Sequence, residues 1–145
     1  FDVTIVDNRP EFANAKRFPH ADHIVVGPHA QELAKLTLTR DTFVMVVTQG
    51  NEFDYECLWV ALNAPVGYLG VISSKPKRVK FFKRLKGEGV SKDRLAQVKI
   101  PAGLDIGAQT PEEIAVSIVA EMTAVLRSEK IGTDKFKKRF SKAVQ

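Results

Sequence analysis

The sequence has one cysteine, Cys57, in 145 residues. A lone thiol excludes an internal disulfide framework and any multi-cysteine zinc site, and it fits a reducing compartment such as the cytoplasm. No apolar run approaches the ~20 residues that a membrane helix needs, so no membrane partner is expected. No signal peptide opens the chain. The first residue is Phe1 rather than Met, which predicts a fragment or a processed chain. No G-x-G-x-x-G occurs anywhere, so the phosphate loop expected of a dinucleotide-binding fold is missing from this stretch. The three histidines, His20, His23 and His29, match no helix face, and no metal site is expected from them. No nucleophile–base arrangement is visible, so no catalytic residue is assigned.

What is present is ordinary for one globular domain. The formal charge of +5 invites a nucleic-acid reading, but residues 130–145 carry six basic residues against Asp134, which is the whole excess. A second cluster, Lys75, Lys77, Arg78, Lys80, Lys83, Arg84 and Lys86, holds no acid. Neither run has the exposed interleaved aromatics of a single-strand binder, and no specific nucleic-acid partner is expected.

Short β-rich runs alternate with helical ones. Strands are predicted over 1–7, 23–26, 42–48 and 67–72, nearly continuous in apolar residues, as in parallel strands buried on both faces. Helices are predicted over 29–36, 51–62, 75–86, 91–97 and 111–127. The second carries Phe53, Cys57, Val60 and Ala61 on one face, and the third carries Val79, Phe82 and Leu85. The last has Thr110 as N-cap, Pro111 at N1 and Glu113 at N3, a capping box, with Ile114, Ile118, Met122 and Val125 as its apolar stripe. This order implies a three-layer α/β domain on a mostly parallel sheet, residues 1–129, followed by a basic tail, 130–145.

In such sheets ligands bind at the carboxyl ends of the strands. Here those ends supply Asp7, Thr48, Gly50 and Ser73. An acid at the position of Asp7 is where a dinucleotide-binding fold meets a ribose hydroxyl; otherwise it ends the strand and caps the next turn. Ser73, Ser74 and Lys75 precede a helix, with Arg78 in its first turn. They form either an anion site or a simple helix cap at Ser74. Gly103 and Gly107 flank Asp105 in a loop feeding the last helix. That loop is either a wall of a phosphate-bearing cofactor site or a tight crossover.

Four segments together are more specific: Asp7-Asn8-Arg9-Pro10-Glu11-Phe12; Thr48-Gln49-Gly50-Asn51 with Asp54; Tyr68 to Lys75; and Gly103 to Ala108 followed by Thr110 to Ala115. In order and spacing they resemble the XdhC/CoxI family, accessory proteins of xanthine dehydrogenase and related molybdenum hydroxylases. The resemblance covers roughly residues 1–128 and implies a C-terminal Rossmann-like domain lacking its first strand and glycine-rich loop. It further implies a maturation factor that binds molybdenum cofactor and serves a molybdenum hydroxylase client. The alternative is an NAD(P)-binding oxidoreductase or nucleotide-sensing domain on the same sheet. Asn51 and Lys99 stand where the family commonly has His, and Ser73 where it commonly has Gly. In Rossmann order the missing strand lies between the strands ending at Asp7 and Thr48. An incomplete sheet is therefore expected, completed by upstream chain, by a homo-oligomer or by a partner chain.

Overall fold

The computed structural model describes residues 1–131. The basic tail, but for its first two residues, lies outside the described residues. The element order is β1 (Thr4–Asp7), β2 (His23–Val26), α1 (His29–Lys35), β3 (Phe43–Val46), α2 (Asn51–Leu62), β4 (Tyr68–Val71), α3 (Lys75–Gly87), α4 (Lys92–Ala96), β5 (Val98–Lys99) and α5 (Pro111–Ile131). β1 pairs with β2, and β3, β4 and β5 pair in that order, every pairing being parallel. The strands thus fall into two separate sheets, β1–β2 and β3–β4–β5. No backbone pairing joins the two sheets among the described residues.

The two-residue β5 has no counterpart among the predicted strands. It is too short to show a periodicity, and it forms because Leu69 and Gly70 of β4 offer it a partner. Val44 and Val46 of β3 and Leu69 and Val71 of β4 share one buried cluster with Cys57, Leu58, Ala61 and Leu62 of α2 and Phe81 and Leu85 of α3. Successive side chains of a strand point to opposite faces, so Tyr68 points the other way. Its hydroxyl donates to Glu121 of α5 at 2.7 Å. Hence α2 and α3 cover one face of this sheet and α5 the other, which gives the three layers.

Two of the predicted helix faces need correction. Phe53 is 41% exposed and stands outside the core, while Asp54, Tyr55 and Leu58 are buried. α2 is enclosed along most of its circumference, so a single stripe understates it. Val79 is 68% exposed. Phe81 and Leu85, one helical turn apart, form the inner face of α3 instead, and Val79 lies about 200° around the helix from Phe81. The basic residues Lys77, Arg78, Lys80, Lys83, Arg84 and Lys86 are all exposed, a solvated face. The capping box of α5 is formed: the Glu113 carboxylate accepts from the Gln109 and Thr110 backbone N–H groups at 2.7 and 3.0 Å, and Glu113 N–H donates to Thr110 Oγ1 at 3.3 Å.

Candidate functional site

Parallel pairing puts the C-terminal ends of the strands at one edge of each sheet, and loop contacts link these ends. Ile72 N–H donates to Val46 O, and Ala102 N–H donates to Val71 O, so the loops after β4 and β5 begin side by side. His29, 8% exposed, links α1 to α2: its ring lies 5.3 Å from that of Phe53, the side chain that stands beside Gly50. His29 is also among the positive influences on Asp7 at the end of β1.

Asp7 is gripped by Arg9. Its Oδ1 accepts from Arg9 Nε at 2.9 Å and from the Arg9 backbone N–H at 3.0 Å; its Oδ2 accepts from Nη2 at 2.9 Å. These bonds from Arg9 hold the carboxyl below the usual carboxylate range. At the end of β3 the Thr48 hydroxyl donates to Asp54 Oδ1 at 2.6 Å, and Thr48 N–H donates to the same oxygen at 3.1 Å. Asp54 is 3% exposed and belongs to the first turn of α2. It fixes the Thr48–Gly50 turn.

The end of β4 is different. Ser73 Oγ is buried and has no hydrogen-bond partner among the described residues. Ser74 occupies the N-cap of α3, but its side chain makes no capping bond. Lys75 begins that helix, and the guanidinium of Arg78 lies 5.0 Å from the Phe82 ring centroid.

In the loop after β5, Gly103 has φ +99°. A Cβ there would stand 2.3 Å from Ser117 Oγ, so glycine is required for α5 to close on the loop. Gly103 N–H donates to Glu121 at 2.9 Å, the carboxylate that also takes the Tyr68 hydroxyl. Ser117 and Glu121, polar residues on the inner side of α5, are therefore structural partners that the apolar stripe could not reveal. Gly107, at φ +74°, has open space where a Cβ would be. Asp105 is exposed and makes no hydrogen bond or ion pair among the described residues.

Parallel strands covered by helices on both faces define a Rossmann-like α/β domain. The XdhC Rossmann domain family matches residues 1–122, and the chain belongs to that family. The chain is 33% identical over 129 residues to the uncharacterized protein YqeB of Escherichia coli (strain K12), covering 86% of this chain and 23% of that protein. It is 30% identical over 122 residues to a probable xanthine dehydrogenase subunit of Bacillus subtilis (strain 168), covering 84% of this chain and 35% of the other. The crystal structure of a xanthine dehydrogenase from Bacillus halodurans superposes with a TM-score of 0.75 at 35% identity, over 88% of this chain and 36% of that one. The chain thus spans between about a quarter and a third of the length of these relatives. Among the described residues, no helix is long and apolar enough to cross a membrane.

Proposed function

We propose that this domain holds a phosphate-bearing cofactor at its strand ends and serves the maturation of a xanthine dehydrogenase-type molybdenum hydroxylase, its client, in the cytoplasm. The cofactor in this reading is molybdenum cofactor or a nucleotide. The observation that carries it is the buried Ser73 Oγ, which has no partner among the described residues, because a buried hydroxyl with no bond costs free energy that a ligand acceptor or donor recovers. The residues fit such a group. Gly107 has nothing within 4 Å of a would-be Cβ, and at Gly50 the nearest atom is a Phe53 ring carbon at 3.7 Å. Backbone at both positions is approachable by a ligand. Ser73, Ser74 and Arg78 supply the anion side, the Lys75 side chain lying outside the described residues, and Asp105 is free to orient a donor group. The membership of the family and the likeness to a probable xanthine dehydrogenase subunit support the choice of client.

A second reading is NAD(P) binding, as an oxidoreductase or nucleotide sensor, and Asp7 favours it. An acid at the end of a parallel strand is what dinucleotide-binding folds use to meet a ribose hydroxyl, and Asp7 ends β1, which pairs in parallel with β2. The test is Asp105→Asn, with binding of molybdenum cofactor and of NADPH each measured and folding followed by thermal melt. Loss of molybdenum cofactor alone, with the fold intact, is the expected result. Loss of NADPH alone selects the second reading. Unchanged binding of both, or unfolding, removes Asp105 from the site.

A further inference from the structure

In dinucleotide-binding sheets a free acid at the strand end recognises the ribose 2′-hydroxyl, whereas an arginine nearby accommodates a 2′-phosphate. Here the two residue types are both present and are bonded to each other. An ionised carboxylate has about four acceptor positions, and three contacts from Arg9 occupy most of them at Asp7. Little acceptor capacity remains for a ribose diol.

Arg9 is correspondingly well placed to receive an anion. Its guanidinium lies 3.8 Å from the Phe12 ring centroid, so it is held by the carboxylate on one side and the ring on another. The turn that carries Phe12 is closed by the Phe12 and Ala13 N–H groups donating to Arg9 O. A second guanidinium, that of Arg17, reaches the same ring at 4.9 Å. Arg17 is exposed and makes no ion pair among the described residues. Glu11, also exposed, adds its negative charge nearby. Two planar forks around one ring, only one of them paired, form a receptor suited to a phosphate monoester.

We propose that Arg9, positioned by Asp7 and Phe12 and assisted by Arg17, selects a nucleotide with a phosphate on its ribose 2′ position over one with a free hydroxyl there. This inference rests on the nucleotide reading above. In the geometry of a Rossmann sheet it places the adenosine ribose at the end of β1 and makes the preferred ligand of the NADP type.

The experiment is calorimetric titration of the protein with 2′,5′-ADP and with 5′-AMP, repeated for Arg9→Gln and Arg17→Gln, each checked by circular dichroism. The 2′,5′-ADP is expected to bind at least about tenfold tighter, the effect of a charge-assisted hydrogen bond or two. In Arg9→Gln the ratio is expected to fall within about threefold, with 5′-AMP held as well or better because Asp7 is released. In Arg17→Gln, which leaves the Asp7–Arg9 pair intact, a smaller drop in the ratio is expected. That variant decides the matter if Arg9→Gln fails to fold. Equal binding of the two probes overturns this inference and leaves the nucleotide reading standing. A ratio unchanged in a folded Arg9→Gln, or in Arg17→Gln where Arg9→Gln does not fold, overturns it as well. Binding of neither probe overturns the nucleotide reading and this inference with it.

Discussion

The two sheets differ in how deeply they are packed. All four residues of β4 are buried, whereas none of β1 is, and both ends of β2 are exposed. Every buried member of the main hydrophobic cluster lies between Val44 and Ile100, and before Val44 only Ala13 and His29 are buried. The β3–β4–β5 half is a core with helices on two faces. The β1–β2 half carries the charged corner of Asp7, Arg9, Phe12 and Arg17, hung on the first through α1 and the His29–Phe53 contact. Stability and ligand recognition are thus weighted to different halves. Local opening free energies follow buried contacts, so the halves are expected to open separately.

The largest test of this division is a pair of truncations. Leu58 is fully buried in the first cluster, and Leu58→Ala is expected to cost about 2–5 kcal/mol. Val6→Ala, at a half-buried position of β1, is expected to cost about 1 kcal/mol. Urea titration followed by far-ultraviolet circular dichroism measures both, and fluorescence of Trp59, which packs against the cluster, follows the first half alone. Equal costs would break the comparison. Cys57 supplies an independent reading of the same half. It is 5% exposed, and burial pushes its thiol up to about 11, so at pH 8 a thiol reagent is expected to label it only as fast as this half opens. Labelling should accelerate in Leu58→Ala and not in Val6→Ala. Prompt labelling of the unaltered protein would mean that α2 is open on its own.

The next effect in size concerns the seam between β4 and α5. Glu121 takes the hydroxyl of Tyr68, which is 2% exposed, and the Gly103 N–H, so Glu121→Ala strands two donors. A loss of about 1–3 kcal/mol is expected in the same urea titration. Tyr68→Phe removes one donor cleanly and is expected to cost less. The opposite ranking would show that the Tyr68 hydroxyl supports the seam by more than its bond to this carboxylate.

The parallel strands and capped helices were legible because each carried a local signature: β-branched runs ended by Asn, Gly or Ser, and the Thr110–Glu113 box. The division of the strands into two sheets accords with the absent strand that the resemblance implies. Phe53 and Val79 were misplaced because helical spacing orders residues on a helix without saying which side the sheet takes. The partners of Gly103 could not be read at all. Ser117 and Glu121 lie 14 and 18 positions away, and only the docking of α5 brings them together. At the candidate site the sequence supplied the strand-end residues, but it did not show that Thr48 is tied to Asp54 or that Asp7 is tied to Arg9. Both are contacts to loop or helix residues whose side chains have several ways to point.

The smallest expected effect is a pH dependence on the acid side, to which the β1–β2 half contributes through Asp7. Asp7 has a folded pKa below its unfolded value of about 3.9, chiefly because Arg9 donates to its carboxylate. A group depressed in this way stabilises the fold fully above the unfolded pKa, and the contribution is lost as pH falls through the folded pKa. The window therefore opens near pH 4 and runs downward, with nothing lost between pH 5 and 8. Glu113, lowered by the backbone N–H groups of Gln109 and Thr110, titrates in the same direction at α5. The two are separated by substitution. In Asp7→Asn the drop in melting temperature between pH 6 and pH 3 is expected to shrink by about 1–2 °C, the scale of an exposed ion pair in a domain of this size. In Glu113→Gln a comparable shrinkage is expected from the capping box alone. If Asp7→Asn leaves the acid limb unchanged while Glu113→Gln flattens it, then the Asp7–Arg9 pair adds nothing to folding. The β1 corner would then carry charge solely for what it binds.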